Sequence, residues 1–174
     1  MCDLGSQSLS LEDMVPVLKE CISTYDIATG EWLIVLQWAF SGGNQPSEKL
    51  PHIRAALDAV STEHPIFLWG DDGHHAAANS LAFALARNSD GENVEINAET
   101  LKSEFSDYRP MIAVDANGSP TGGVNEDARL LLRSNGLADM LGMSNGLDET
   151  MPRVARKMAE SGITSLQDAI VTPE

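Results

Sequence analysis

The chain has 174 residues, 43% of them apolar, which suffices for one domain with a buried core, or one domain plus an appendage. Eleven Lys and Arg against 26 Asp and Glu leave a net charge of −15, a field that repels phosphate backbones and anionic membranes, so neither nucleic acid nor a membrane surface is an expected partner. No apolar stretch reaches the ~20 residues that span a bilayer, and residues 1–6 carry no basic segment ahead of an apolar block. These features predict a cytoplasmic protein.

In chain order, Cys2 belongs to an expected loose terminus. Ser10 is a good N-cap for a helix over 11–24, in which Leu11, Met14, Val15, Leu18, Cys21 and Ile22 recur at helical spacing. Pro16 predicts an irregular first turn. Cys2 and Cys21 form no metal motif, and two reduced thiols are the expectation in a reducing compartment. Residues 32–40 are dense in β-branched and aromatic side chains and predict a buried strand. A Gly-, Asn- and Pro-containing loop over 41–46 leads to a short helix over 51–60 with Pro at its start.

Residues 65–69 predict a second strand. The stretch 75–86 is alanine-rich and apolar nearly all round, which predicts a buried helix. Residues 88–97 are polar and expected to be mobile, and 98–105 predict a short helix. The Asn117-Gly118 pair between apolar runs 111–114 and 121–124 predicts a hairpin. A helix follows over 126–134. Another covers 148–161, with Asp148 and Glu149 at its start, Arg153, Arg156 and Lys157 later, and Gly162 as its stop. Residues 163–168 predict a last strand. Helices and strands mix irregularly, so the predicted fold class is α+β, a compact mixed sheet with helices packed on it.

Three motifs carry chemistry. The first is Asp72-Gly73-His74-His75 followed by Asn79-Ser80. The second is Asp115-Ala116-Asn117-Gly118-Ser119-Pro120-Thr121-Gly122, with Glu126 and Ala128 after it. The third is Gly162-Ile163-Thr164-Ser165-Leu166-Gln167-Asp168-Ala169. In this order they resemble the YtcJ-like branch of the metal-dependent amidohydrolases (amidohydrolase family 3), whose corresponding patterns are Asp-Gly-His-Ser with Asn-Ser four residues on, Asp-x-x-Gly-x-Pro-Thr-Gly, and Gly-Val-Thr-Ser-Val-x-Asp-Ala. His75 stands where that family usually has Ser, and Leu81 where it often has Lys.

The resemblance implies a TIM-like barrel carrying an α+β insert, with Zn²⁺ or a similar divalent metal activating water to cleave amide-type C–N bonds. The family's His-x-His metal pair is not among His52, His64, His74 and His75, and a barrel needs roughly 200 residues or more. The expectation is therefore an insert-type domain over 1–161 and a barrel-strand remnant over 162–174. Such a fragment is inactive alone, has no catalytic residue, metal ligand or cofactor of its own, and forms a homodimer through its exposed strand edge. The alternative is an autonomous small ligand-binding or assembly module without catalysis.

The expected substrate-side residues are Asp72, His74, Asn79, Thr121 and Gly122, facing a small-molecule substrate in the parent enzyme. Asp72 would orient the His74 ring over the sharp turn that Gly73 permits. His75 and Asn79, four apart on the predicted helix, would share a face, and the Asn79 amide would tether the corner by hydrogen bonds. Thr121, Gly122 and Gly123 bring backbone close to a ligand or simply shape the hairpin. Glu126 is either a polar site residue or a partner of its helix dipole. Trp32, Trp38 and Trp69 read as core or interface residues.

Overall fold

The computed structural model describes residues 2–132 and 147–165. Contacts divide the chain into two units, 1–134 and 135–174. The division falls within the 1–161 segment that the sequence groups together.

The first unit is built on a six-stranded sheet in the order β1-β2-β3-β4-β6-β5. Its strands are β1 (Cys2–Asp3), β2 (Leu33–Trp38), β3 (Ile66–Gly70), β4 (His75–Ala78), β5 (Ile112–Val114) and β6 (Pro120–Asn125). The first three are parallel and the rest antiparallel. The mixed α+β architecture expected from the sequence is what forms, with no closed barrel among the described residues. Within it, the N-terminal half is two consecutive crossovers, through α1 (Leu11–Thr24) and α2 (Ile53–Val60).

Helix α1 starts where its capping pair places it. Ser10 Oγ accepts from the Asp13 N–H at 3.1 Å and donates to the Asp13 carboxylate at 2.6 Å, a reciprocal cap that stabilises a helix start by about 1 kcal/mol. The helix runs unbroken through Pro16. Its buried stripe, Met14 and Leu18, joins Leu57 and Val60 of α2 and Leu33, Val35, Ile66 and Leu68 of the sheet in one core cluster. Alternation sends Phe67 to the opposite face, where it too is fully buried.

The alanine-rich stretch departs from expectation. Residues 75–78 are β4, not a helix. Asn79 then caps the five-residue helix α3 (Ser80–Ala84). Alanine favours helices, but β4 lies between β3 and β6, where it pairs with both, and all three of its alanines are buried. A strand covered on both faces shows no alternation, so period alone cannot separate it from a buried helix. His75 and Asn79 accordingly share no helix face.

Residues 88–97 fold back through an Arg87↔Asn93 bridge and an Asn88 N–H bond to the Glu92 carbonyl. The expected helices over 98–105 and 126–134 are 3₁₀ turns at Thr100–Lys102 and Glu126–Leu132, and a further one spans Ser106–Met111. The Asn117-Gly118 hairpin forms as read, with Gly118 at φ +83.

Both cysteine expectations are overturned. Cys2 is not loose. It is fully buried, paired to Val35, and disulfide-bonded to Cys21 with a Cα–Cα separation of 5.6 Å. The two reduced thiols that were expected are instead bonded to each other.

In the second unit, α4 (Leu147–Glu160) ends in a glycine-based C-cap. Gly162, at φ +80, donates to the Ala159 carbonyl, and the Ile163 N–H reaches back to the Met158 carbonyl at 2.9 Å. Of the expected last strand, 163–165 is not strand, and 166–168 lies outside the described residues. No described helix is long and apolar enough to cross a membrane.

Candidate functional site

The polar corner is the loop of the β3–β4 hairpin. Gly70, the last residue of β3, leaves no room for a side chain, because a Cβ there would lie 2.6 Å from the His75 carbonyl oxygen. Gly73 takes φ +75 and bonds back to the Gly70 carbonyl at 3.1 Å. Asp72 Oδ1 accepts the N–H groups of His74 and His75, each at 3.0 Å. One carboxylate thus fixes the loop backbone.

The same carboxylate's second oxygen accepts from His75 Nδ1. The His75 ring stacks on Phe40, with centroids 3.4 Å apart and planes 6° off parallel. Phe40 lies in a loop that the Asn44 side chain ties together. Asn44 donates to the carbonyls of Ala39, Phe40 and Gly42 and accepts from Trp38 Nε1 at 2.8 Å.

His74 turns the other way and places Nδ1 at 3.1 Å from Glu126 Oε1. Glu126 sits at φ +48 directly after β6, and its N–H donates to the His74 carbonyl. Arg129 braces the pair. Its Nε donates to the Glu126 carbonyl at 2.8 Å, a terminal nitrogen donates to the Gly73 carbonyl, and its guanidinium lies 4.6 Å from the Trp69 ring centroid.

Because a carboxylate only accepts, each imidazole carries its proton on Nδ1 and leaves Nε2 as an acceptor when neutral. Neither Nε2 has a hydrogen-bond partner among the described residues. The His74–Glu126 pair is more than half exposed on both sides and contributes little to stability. Asp72 is different. Withdrawal from water pushes its pKa up, but the His75 N–H and ring and the His74 N–H outweigh that effect and hold the carboxyl well below the usual range.

The donor set does not fit a zinc ion. Phe40 follows β2 and Glu126 follows β6, so the two rings are drawn to opposite flanks of the hairpin. Among the described residues, no three His, Cys, Asp or Glu side chains are grouped to hold a metal.

The five residues expected on the substrate side fall into two groups. Asp72 and His74 sit at the hairpin loop. Asn79, Thr121 and Gly122 lie at the other end of β4 and β6, roughly 13 Å away at ~3.3 Å per strand residue. Asn79 is fully buried and spends its whole amide inside the protein. Oδ1 accepts from Ile66 and Ala82, and Nδ2 donates to the carbonyls of Ser61 and His64. It does tether, but at the end of the sheet opposite the corner.

Gly122, at φ +117, presses on the start of α2, where a Cβ would meet Arg54 N and Ile53 Cγ2 at 2.6 Å. Thr121 follows Pro120, whose carbonyl accepts from Arg54 at 3.1 Å, and the Arg54 Nε donates to Ser80 Oγ. Close approach at Gly122 therefore serves packing against α2, and at Gly123, where a Cβ would meet Ala113 at 3.0 Å, packing against β5.

Phe40, Arg129 and the orientation of His75 were not legible in the sequence. The Glu126-to-Arg129 spacing at the end of a strand was the available signal, and it is a weak one.

No family model matches this chain, and no curated protein matches it. Among solved structures it is similar to an uncharacterized metal-dependent hydrolase from Pyrococcus horikoshii OT3, with 17% identity, a TM-score of 0.38, and coverage of 80% of this chain and 20% of that one. The chain spans a fifth of that structure's length.

Proposed function

We propose that this chain is the insert-type α+β domain of a metal-dependent hydrolase of the amidohydrolase family 3 type, which cleaves amide-type C–N bonds. The domain catalyses nothing alone and supplies a substrate-side wall. One observation carries this reading. Two motifs of the resemblance, some fifty residues apart in sequence, meet in space, with β4 paired to β6 at His75↔Asn125 and the His74 ring on the Glu126 carboxylate at 3.1 Å.

What the corner offers is two imidazoles, each oriented by a carboxylate through Nδ1 and each presenting Nε2. A neutral imidazole held this way accepts a hydrogen bond from an amide N–H, and when protonated it donates to a carbonyl. Arg129 and the Phe40–His75 stack limit how far the rings swing. The metal and the water it activates would belong to other segments, so no step through a metal is derived for these residues.

Reading the gene on both sides of this segment tests the proposal. A His-x-His strand before it and further β/α units after it are expected. In-frame start and stop codons bracketing these residues would remove the reading. Purified after dialysis against zinc, the chain is expected to retain far less than one equivalent of metal and to hydrolyse no amide. Stoichiometric zinc lost in His74→Ala would make the corner a metal site in its own right.

A further inference from the structure

The asparagines of the first unit differ in what holds their amides. Asn79 spends its whole amide in the core, and Asn44 binds three carbonyls and the Trp38 ring nitrogen. Asn88 and Asn97 each accept two backbone N–H groups. Asn93 and Asn125 precede Val94 and Glu126, whose side chains crowd the nitrogen that follows the asparagine. Asn117 is different on both counts. It is exposed in the β5–β6 turn, and its side-chain amide has no hydrogen-bond partner among the described residues. Gly118 comes next, at φ +83 and with open space where a Cβ would stand. A free amide beside an unhindered backbone nitrogen is the arrangement in which a chain attacks its own asparagine.

The closed turn opposes that attack. The Gly118 N–H is given to the Asp115 carbonyl at 3.0 Å, and the Asp115 N–H to the Ser119 carbonyl at 2.9 Å. Asp115 Oδ1 accepts two more N–H groups, from Asn117 at 2.8 Å and Ser119 at 2.9 Å. Yet the turn joins β6 to a three-residue strand at the sheet edge, and such exposed ends open locally more often than a core does.

We propose that Asn117 is a self-modifying site, converted to isoaspartate through the Gly118 nitrogen and gated by the Asp115 turn. When the turn opens, the Gly118 nitrogen loses its proton to hydroxide and bonds to Asn117 Cγ. The side-chain nitrogen takes up a proton and leaves as ammonia, and a five-membered succinimide remains. Water then opens the ring. Cleavage of the bond from nitrogen to Cγ leaves aspartate. Cleavage of the bond from nitrogen to the main-chain carbonyl carbon leaves isoaspartate, in which the chain runs through Cβ and Cγ. The net reaction consumes one water and releases one ammonia.

The product changes the hairpin. Isoaspartate adds one main-chain atom and one negative charge beside Asp115, between Val114 and Pro120, which pair across the turn. The Pro120 carbonyl accepts from Arg54 of α2, so the disturbance reaches α2 at the pole opposite the histidine corner.

The test uses the full 174-residue chain, held at mildly alkaline pH either folded or in guanidinium chloride. Trypsin releases Asn117 on a different peptide from the Asn135-Gly136 and Asn145-Gly146 pairs, so mass spectra follow each site separately. Synthetic peptides mark the retention of aspartate and isoaspartate products, and modified folded chain separates by one charge on anion exchange. Asn117 is expected to convert in the folded chain, more slowly than in guanidinium, with isoaspartate among the products. Asp115→Ala should raise the folded rate by roughly 5–30-fold, as two lost turn bonds imply, without passing the unfolded rate. Asp115→Asn keeps an acceptor oxygen and should stay near the parent. Gly118→Ala should slow conversion in guanidinium.

A folded chain that keeps its Asn117 amide while the unfolded chain reacts to completion overturns the proposal. Equal folded and unfolded rates overturn the gate, as does an Asp115→Ala chain of unchanged circular dichroism that converts no faster than the parent. Asp115→Asn converting as fast as Asp115→Ala overturns the part given to the acceptor oxygen.

Discussion

Replacing Asn79 by alanine tests whether this buried amide holds the first unit together. Oδ1 is the acceptor for the Ile66 N–H at 2.9 Å and the Ala82 N–H at 3.0 Å, and Nδ2 supplies the carbonyls of Ser61 and His64 at 3.2 and 2.9 Å. The side chain is fully buried, so water does not readily take over. Each orphaned buried N–H costs about 1–3 kcal/mol, and Ala82 also loses its helix cap. The expected loss is about 3–5 kcal/mol, or roughly 6–20 °C in Tm at 2–4 °C per kcal/mol for a chain of this length.

Asn79→Asp sharpens the test. It keeps Oδ1 but turns a second oxygen toward two carbonyls. Ionisation there is opposed, so the folded-state pKa of the new carboxyl is raised above its unfolded value near ~4. Stability is then best below pH ~4 and falls as pH rises toward neutrality. Urea denaturation at acidic and neutral pH reads both variants. An Asn79→Ala variant within about 1 kcal/mol of the parent, or an Asn79→Asp variant insensitive to pH, would refute the reasoning.

Three further outcomes are expected. Gly122→Ala combines a φ of +117 with a Cβ at 2.6 Å from Arg54 N, whereas Gly118→Ala has φ +83 and open space. Denaturation midpoints should therefore rank them at about 3–5 against about 1–2 kcal/mol, and equal losses would remove the α2 contact as the cause. Asp72→Asn should be less stable than the parent at pH 7, with the gap present above the ordinary carboxylate range and closing as pH falls through the depressed pKa below it. Thermal melts from pH 7 to 2 check this, and a gap that widens on acidification contradicts the sign. Reduction of Cys2–Cys21, which closes a loop spanning a sequence separation of 19, should cost about 3 kcal/mol at concentrations too low for association, read as a drop in Tm under dithiothreitol.

The elements legible in the sequence are those whose cause is local. Ser10 and Asp13 cap α1 with each other, the 3.6-residue stripe then carries it over Pro16, and Asn117-Gly118 turns its hairpin through Gly118's left-handed backbone. Beta 4 was misread because its cause is not local. Four residues, His75–Ala78, are strand only because Phe67, Leu68 and Trp69 on one side and Gly123, Val124 and Asn125 on the other take up their backbone bonds. The local sequence held the contrary clue. Gly70 and Asp72-Gly73 are turn chemistry at the end of a strand, and Asn79 is an N-cap placed five residues too late for a helix beginning at His75. A hairpin followed by a capped helix satisfies both signals, while one long helix satisfies neither.

The corner itself was half legible, for the same reason. Asp72 and His74 were named from a turn that the chain makes alone. The partners of the two rings arrive from elsewhere in the fold: Phe40, after β2, for His75, and Glu126, after β6 and braced by Arg129, for His74. The candidates expected beside them, Thr121 and Gly122, belong to the strand that Glu126 follows, but a strand is a rod. Four or five residues along β6 carry a side chain from the corner to the far end of the sheet, where Gly122 meets α2. Proximity in sequence to a site residue counts for much in a tight loop and for little along a strand. Asn79 obeys the same rule from the other side of the ladder, since His75 begins the four-residue β4 and Asn79 follows its end. In a sheet whose hairpin loop and helix-covered end lie at opposite poles, residues drawn from a single motif divide between one pole that faces solvent and one that holds the core.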